Sequence, residues 1–337
     1  MNAAELLDPA YAHFLEKSSS EWTLDNLPAI RTRISADFKT PQQARCEQRW
    51  TTDTPSAAGV RLCIYRPDQQ TEDQALPAML YLHGGGFVLG CPEMADDYLA
   101  DLADEMKAVI VAVDYKLAPE HPFPVPLEDC YAALSWLFRR SPSLGVDAQS
   151  VIIMGHSAGG GLAAALALLV RQRAEFSVMG LVMIYPMLDH RTGSATAPTD
   201  NPTTGTLNWG REANQFCWRC MQGTYALDDE QAFLFSAALA AELRGLPRSF
   251  ICVGTLDLFL EEAVDFALKL SRSGVPVELH VYPGVPHMFD QYPGSVTEQC
   301  RNDVSAAIKK MWAGCSPSGS TFSSPGDRSP NEQMLKR

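Results

Sequence analysis

Residues 151–170 read VIIMGHSAGGGLAAALALLV, four strand-like residues that run straight into Gly155-His156-Ser157-Ala158-Gly159 and then into an alanine-rich apolar helix. Two glycines flanking a lone serine suit neither regular element, so local propensity does not explain the pentapeptide. G-x-S-x-G between a strand and a helix is a sharp corner: the serine takes a strained backbone, and the glycines let strand and helix approach without Cβ clashes. The corner presents Ser157 as an oxygen nucleophile at a helix N-terminus, where free N–H groups and the dipole favour negative charge. Gly, Ser and Ala are common residues, so the assignment turns on whether the rest of the chain supplies partners.

A strand-corner-helix unit belongs in an open α/β sheet, and the chain has that rhythm. EQRWTT, VRLCIYRP, AMLYLH, AVIVAV, VIIMG, GLVMIY, SFICVG and PVELHVY read in turn as strands, by alternation or as short β-rich apolar runs. EMADDYLADLADEM, PLEDCYAALSWLFRR, GGLAAALALLVRQR and EEAVDFALKLSRSG lie between the later strands and read as helices. Such alternation implies right-handed crossovers and a mainly parallel sheet with helices on both faces. The first two strands, joined through TDTPSAAG, read as an antiparallel hairpin.

Residues 1–45 carry helical patterning, in DPAYAHFLEK and LDNLPAIRTRISADF. Residues 190–245 break the strand-helix rhythm with HRTGSATAPTDNPTTG and then the aromatic, helix-like LNWGREANQFCWRCMQGTYA. An insertion of this length reads as a lid packed with the N-terminal helices. The α/β core is then expected over 46–189 and 246–314, and the Ser/Pro/Gly-rich residues 315–337 are expected to be disordered.

Composition removes several classes of function. The 337 residues are 46% hydrophobic and 20% charged, as in a soluble chain with a large core. A net charge of -13 repels phosphate backbones and anionic lipid, so nucleic acid is excluded as a partner. No basic region followed by an apolar run opens the chain, and LAAALALLV at 162–170 is far shorter than a bilayer requires. No membrane span is expected, and the cytoplasm is the expected location. Nine cysteines without a framework suit a reducing compartment. Cys217-Trp-Arg-Cys220 has no second Cys or His pair beside it, so it reads as packing and no metal is expected.

Attack by serine on an acyl carbon leaves an oxyanion, and Tyr81-Leu82-His83-Gly84-Gly85-Gly86-Phe87 closes a strand with a glycine loop whose N–H groups can approach one. Gly84, Gly85 and Gly86 form the candidate oxyanion loop, with the N–H groups of Gly85, Gly86 and Ala158 as donors; His83 braces the loop. Serine also needs a base. Of seven histidines, His287 in VYPGVPHMF follows the last strand and can hang over the C-terminal edge of the sheet. His280 lies in a strand pattern, His13 and His190 in the lid regions, and His121 after a Pro-rich loop, while His156 points away from Ser157 and is structural. The imidazole needs a carboxylate to hold its tautomer. Asp257 in CVGTLDLFLEEA has the reach, with Glu261, Asp189 and Asp290 as alternatives. Chain order is then Ser157, Asp257, His287.

With these motifs assembled, the chain resembles the hormone-sensitive-lipase-like family of α/β-hydrolases, the HGGG carboxylesterases, over about residues 60–310. DYKLAPEHPFP at 114–124 resembles the family signature after the fourth strand, and Leu127-Glu128-Asp129 the start of its next helix; by spacing both are structural. The resemblance implies an eight-stranded core capped by N-terminal helices and an insertion after the sixth strand. It also implies hydrolysis of short- to medium-chain apolar acyl esters through an acyl-enzyme, with no metal or organic cofactor, by a monomer or homodimer whose partner is a small-molecule ester. By position Ser157 is nucleophile, His287 base then acid, and Asp257 the orienting carboxylate. A lactonase, a thioesterase, an eliminating enzyme of specialised metabolism or a non-catalytic receptor remain alternatives on the same pocket. Two departures stand out: His156 replaces the aspartate of the usual GDSAG, and Asp257-Leu258-Phe259 lacks the proline of the usual D-P-L. Trp209 and Phe216, with Trp218, Met221 and Tyr225, read either as an apolar substrate pocket or as packing of the lid on the core.

Overall fold

A computed structural model of the protein describes residues 2–16, 21–52, 59–68, 75–228 and 230–314. The expected disorder of residues 315–337 and most of the TDTPSAAG connection lie outside the described residues. Eight strands are present among the described residues: β1 (Glu47–Trp50), β2 (Arg61–Tyr65), β3 (Leu76–Leu82), β4 (Val109–Asp114), β5 (Val146–His156), β6 (Gly180–Ile184), β7 (Arg248–Gly254) and β8 (Val277–Tyr282). They form one sheet in the order β1-β2-β4-β3-β5-β6-β7-β8. β2 pairs antiparallel with both β1 and β4, and every other pairing is parallel.

The strand sequences explain their places. Val109–Val113, Ala78–Leu80 and Val151–Met154 are all 0% exposed, as apolar runs must be when both faces of a parallel sheet are covered. β1, at one edge, alternates exposed and half-buried residues instead.

The helices are α1 (Ala3–Leu6), α2 (Leu27–Ser35), α3 (Asp96–Met106), α4 (Val125–Leu144), α5 (Ala158–Arg173), α6 (Arg211–Gln222), α7 (Ala232–Phe235), α8 (Leu260–Arg272) and α9 (Ser295–Ala313). α4 and α5 pack on each other and on β5, α3 on β2 and β4, α8 on β7 and β8, and α9 on β6, β7 and β8. Gly145, at φ +65, ends α4 in the left-handed conformation that caps a helix without a Cβ penalty. No described helix is long and apolar enough to cross a membrane.

Near the N-terminus the helical patterning takes more than one form. DPAYAHFLEK is not an α-helix but a 3-10 helix over Pro9–Leu15, with Tyr11 off helical geometry. The Tyr11 hydroxyl accepts from the Thr297 N–H at 2.9 Å and lies 2.9 Å from the Thr297 hydroxyl, so a contact with α9 overrides the local pattern. α2 reaches the core through Arg31. Its guanidinium donates to the carbonyls of Val88 (2.7 Å) and Ala118 (2.8 Å) and pairs with Glu120 at 2.6 Å. Trp22 meets Trp209 and Phe216 at ring-centroid distances of 5.6 and 5.9 Å, so the N-terminal segment touches the segment after β6.

Candidate active site

β5 ends at His156, and Ser157 follows at φ +56, ψ −120, before the first residue of α5. Few L residues adopt that backbone, so it persists because its surroundings hold it. The Ser157 N–H donates to the Ile184 carbonyl at 2.9 Å, and its carbonyl accepts from Gly161 and Met187, both at 3.0 Å. A Cβ on Gly155 would lie 2.1 Å from the Gly159 carbonyl oxygen, and one on Gly159 would lie 2.1 Å from that of Leu82. Both flanking glycines are therefore required by contact.

Asp257 and His287 arrive from the turns after β7 and β8, which are knitted together. Thr255 donates to the Tyr282 carbonyl (2.8 Å), Leu256 to that of Val285 (3.1 Å), and the Gly284 N–H to the Thr255 hydroxyl (2.8 Å). The His287 Nδ1–H donates to Asp257 Oδ2 at 2.7 Å. A carboxylate oxygen only accepts, so in the neutral ring Nε2 is left as acceptor, and it lies 2.8 Å from Ser157 Oγ. The other Asp257 oxygen accepts from the Phe259 N–H at 2.9 Å, so Leu258, in place of a proline, leaves the carboxylate anchored. Ser157, Asp257 and His287 are 4%, 0% and 1% exposed, which shields these bonds from competing water.

The loop after β3 runs beside the serine. A Cβ on Gly84 would lie 3.5 Å from that of Ser157. Gly85 (φ +118) would clash with the Leu89 carbonyl, and Gly86 (φ +60) with Cys217 Sγ at 2.7 Å and Trp209 at 2.8 Å. Among the described residues no carbonyl accepts from the N–H of Gly85 or Gly86, and Ala158, first in α5, has no intrahelical acceptor. His83 sits under the loop: its Nδ1–H donates to the Gly84 carbonyl at 2.7 Å, its ring stacks on Tyr115 at 4.1 Å, and the Tyr115 hydroxyl donates to its carbonyl at 2.8 Å. Burial pushes the His83 imidazole below its ordinary value, so it is a neutral brace. Within the DYKLAPEHPFP block Ala118 donates to the Phe87 carbonyl at 2.9 Å, and Lys116 bonds Asp129 at 2.9 Å, so both sequence blocks hold the glycine loop in place.

The other candidate carboxylates are engaged elsewhere. Glu261 accepts from Asn201 at 2.9 Å, Asp189 from Arg191 at 2.7 Å, and Asp290 from the Tyr185 hydroxyl at 2.6 Å. His280 lies between Glu278 and Asp303, and His13 packs against Tyr292. Of the aromatic candidates, Trp209 lies 6.0 Å from the His287 ring and over Gly86, whereas Phe216 is one contact removed, against Trp22. Trp218 and Met221 are buried, and Tyr225 packs on Phe123. Cys217 and Cys220 are buried free thiols on α6.

Several residues at the site were not singled out by the sequence. Tyr185, at φ +36 just after β6, meets the His287 ring at 4.6 Å. Asn208 donates to the His287 carbonyl at 2.8 Å. Glu262 accepts from the Leu188 N–H at 2.6 Å and from the Thr192 hydroxyl. Each acts through a contact between distant elements, for which no spacing rule exists.

Comparison with known proteins identifies the family and the fold. A family profile described as alpha/beta hydrolase fold matches residues 79–291. The chain is 33% identical over 251 residues to an ethyl acetate hydrolase of Pseudomonas putida, covering 74% of this chain and 76% of that protein. It is 31% identical over 293 residues to Esterase LipI of Mycobacterium tuberculosis, covering 86% and 90% respectively. A solved bacterial heroin esterase superposes with a TM-score of 0.81 at 28% identity, covering 92% of this chain and 99% of that one.

Proposed function

The chain belongs to the alpha/beta hydrolase-fold family, and from that membership we propose that it is a serine carboxylic ester hydrolase using Ser157, His287 and Asp257 on short- to medium-chain apolar acyl esters. The observation that carries the reading is the unbroken line from Ser157 Oγ to His287 Nε2 (2.8 Å) and from His287 Nδ1 to Asp257 (2.7 Å).

In this mechanism Ser157 attacks the acyl carbon while His287 takes its proton. Asp257 holds the imidazole tautomer and stabilises the imidazolium that forms. The N–H groups of Gly85, Gly86 and Ala158 face the developing oxyanion, with Gly84 giving the loop its close approach. Loss of one good donor costs on the order of 10²- to 10³-fold in turnover. His287 then protonates the leaving alcohol, and water repeats the cycle on the acyl-enzyme. Residues 1–45 and 190–245 act as the cap over a core of 46–189 and 246–314, and Trp209 walls the acyl site. A cytoplasmic monomer or homodimer fits this reading and is checked by fractionation and light scattering.

Ser157→Ala should reduce hydrolysis of p-nitrophenyl acetate and butyrate by at least about 10³-fold and abolish labelling by a fluorophosphonate. Full retention of activity would remove the assignment.

A further inference from the structure

The loop that carries His287 is tied to the elbow a second time, through the residue before the serine. His156 and Ser157 leave the chain in opposite directions. The His156 side chain is 12% exposed, and its Nε2 lies 3.4 Å from Asp290 Oδ2. Its ring meets, edge to face, Tyr81 of β3 (5.6 Å), Tyr98 of α3 (5.8 Å) and Tyr185 (5.7 Å). Asp290 lies three residues past His287, and its second oxygen accepts from the Tyr185 hydroxyl at 2.6 Å. The Tyr185 ring in turn meets His287 at 4.6 Å. Contacts therefore run in a closed circuit from His156 to Asp290, Tyr185 and His287, and back to Ser157.

Plain packing does not account for this niche. His156 Nδ1 is buried with no hydrogen-bond partner among the described residues, whereas a leucine or phenylalanine would fill the space without an orphaned nitrogen. What histidine adds is a partner for Asp290. Burial works to raise the Asp290 carboxyl, yet His156, Tyr185 and the nearby Arg301 outweigh it and hold the group below its ordinary value, so it stays ionised. Arg301 also donates to the Asp290 carbonyl at 2.9 Å, anchoring the same turn to α9. With both carboxylate oxygens and its carbonyl engaged, Asp290 fixes the end of a short loop whose other end holds the base.

We propose that His156, Asp290 and Tyr185 are positioning residues that clamp the His287 loop against the elbow and so set the rate of the chemical step without touching substrate. The proposal rests on Ser157 and His287 acting as assigned above. Misplacement of a reacting group by about 1 Å can cost about 10²-fold, so a clamp that holds a 2.8 Å contact has a measurable effect on turnover.

The test uses Asp290→Asn, His156→Asn, His156→Asp and Tyr185→Phe, each assayed for kcat and KM on p-nitrophenyl acetate and for thermal midpoint. Asp290→Asn should lower kcat by about 10- to 100-fold with KM within about twofold of wild type. His156→Asp faces Asp290 with like charge, so it should lose more activity than His156→Asn, which has nearly the same shape. Adding Asp290→Asn to His156→Asp should restore part of that loss, a rescue that a packing role does not produce. If Asp290→Asn does not fold, Tyr185→Phe, which deletes one hydroxyl, carries the test with an expected fall in kcat of about threefold or more. Wild-type kcat in Asp290→Asn and Tyr185→Phe, or equal losses in His156→Asn and His156→Asp, would overturn the clamp. Ser157→Ala separates the two readings. If it retains hydrolysis, the assignment of the serine has failed, and if it is inactive while the clamp variants match wild type, only the clamp has failed.

Discussion

The C-terminal edge of the sheet and the segment from 186 to 246 meet at the same histidine, yet different forces hold them. Strands β3, β4 and β5 satisfy one another's backbone groups, and their central residues are sealed at 0% exposure. Among the described residues the segment after β6 has little regular structure beyond α6, α7 and a short 3-10 turn at Ala237–Leu239, and several of its carbonyls accept from side chains. Arg211 donates to the carbonyls of Thr204 and Asn201 at 2.8 Å, Asn214 and Gln215 both to that of Thr192 at 2.8 Å, and Ser236 to that of Leu188 at 3.0 Å. The contrast separates two kinds of sensitivity. In the sheet, added volume is what the fold cannot absorb, and in the other segment it is the loss of a particular side chain.

Gly159→Ala strikes the first kind and should have the larger effect. Within a helix, alanine gains about 1 kcal/mol over glycine. Here the new Cβ would lie 2.1 Å from the Leu82 carbonyl oxygen and 2.4 Å from that of His83, both backbone atoms of the strand end beneath the glycine loop. Overpacking against backbone outweighs the propensity gain, so a net loss of about 3 kcal/mol or more is expected. Activity should fall with it, since Gly84 to Gly86 shift as the strand end moves. Urea unfolding with an esterase assay measures both, and a variant as stable as wild type would break the contrast.

Trp209→Ala probes the other region. Trp209 is half-buried between Trp22, His287 and Gly86, so its removal should cost about 1–2 kcal/mol in stability. The sharper readout is selectivity. Opening the wall over Gly86 should raise kcat/KM for p-nitrophenyl octanoate relative to acetate by about tenfold. An unchanged chain-length profile with lowered stability would make Trp209 a packing residue only.

The same contrast explains what the sequence disclosed. All eight strands were readable as apolar runs or alternations because burial dictates their composition. β5 begins earlier than its apolar run, at Val146, because Asp147, Ala148 and Gln149 are polar or exposed and carry no such signal. α9 lies outside the segments that read as helices, although Val296, Cys300, Val304, Ala307, Ile308 and Met311 are buried on it at helical spacing. In the site, the elbow and the glycine loop were visible because backbone geometry demands glycine. Which carboxylate reaches His287 is open in the sequence among Asp257, Glu261, Asp189 and Asp290, since all four follow one of the last three strands. The pairing of β7 with β8 decides it by setting their two turns side by side. Tyr185, Asn208, Arg31 and Glu262 left no trace, because each works by a contact across more than fifty residues or by a backbone angle.

Glu262 joins the two regions, and its effect is the subtlest. From α8, just after Asp257, it accepts from the Leu188 N–H and the Thr192 hydroxyl, at the root of the segment after β6. Burial pushes its carboxyl well above the ordinary 4.5, and Asp189 adds to the rise against the bonds from Thr192 and Leu188. In the unfolded chain the group releases its proton near the ordinary value, so above that pH the folded state binds more protons than the unfolded one. Stability from this residue is therefore complete below about pH 4.5 and is lost as pH rises toward the folded value. Glu262→Gln keeps an oxygen for Leu188 and an N–H for Thr192 but does not titrate. Urea unfolding of both proteins from pH 5 to pH 9 should show wild type losing ground to the variant as pH rises, with other titrating groups cancelling in the difference. A difference that stays level across this range, or that favours wild type more at alkaline pH, would mean that Glu262 is ionised in the folded protein and that charge, not a neutral hydrogen bond, holds the insertion to the core.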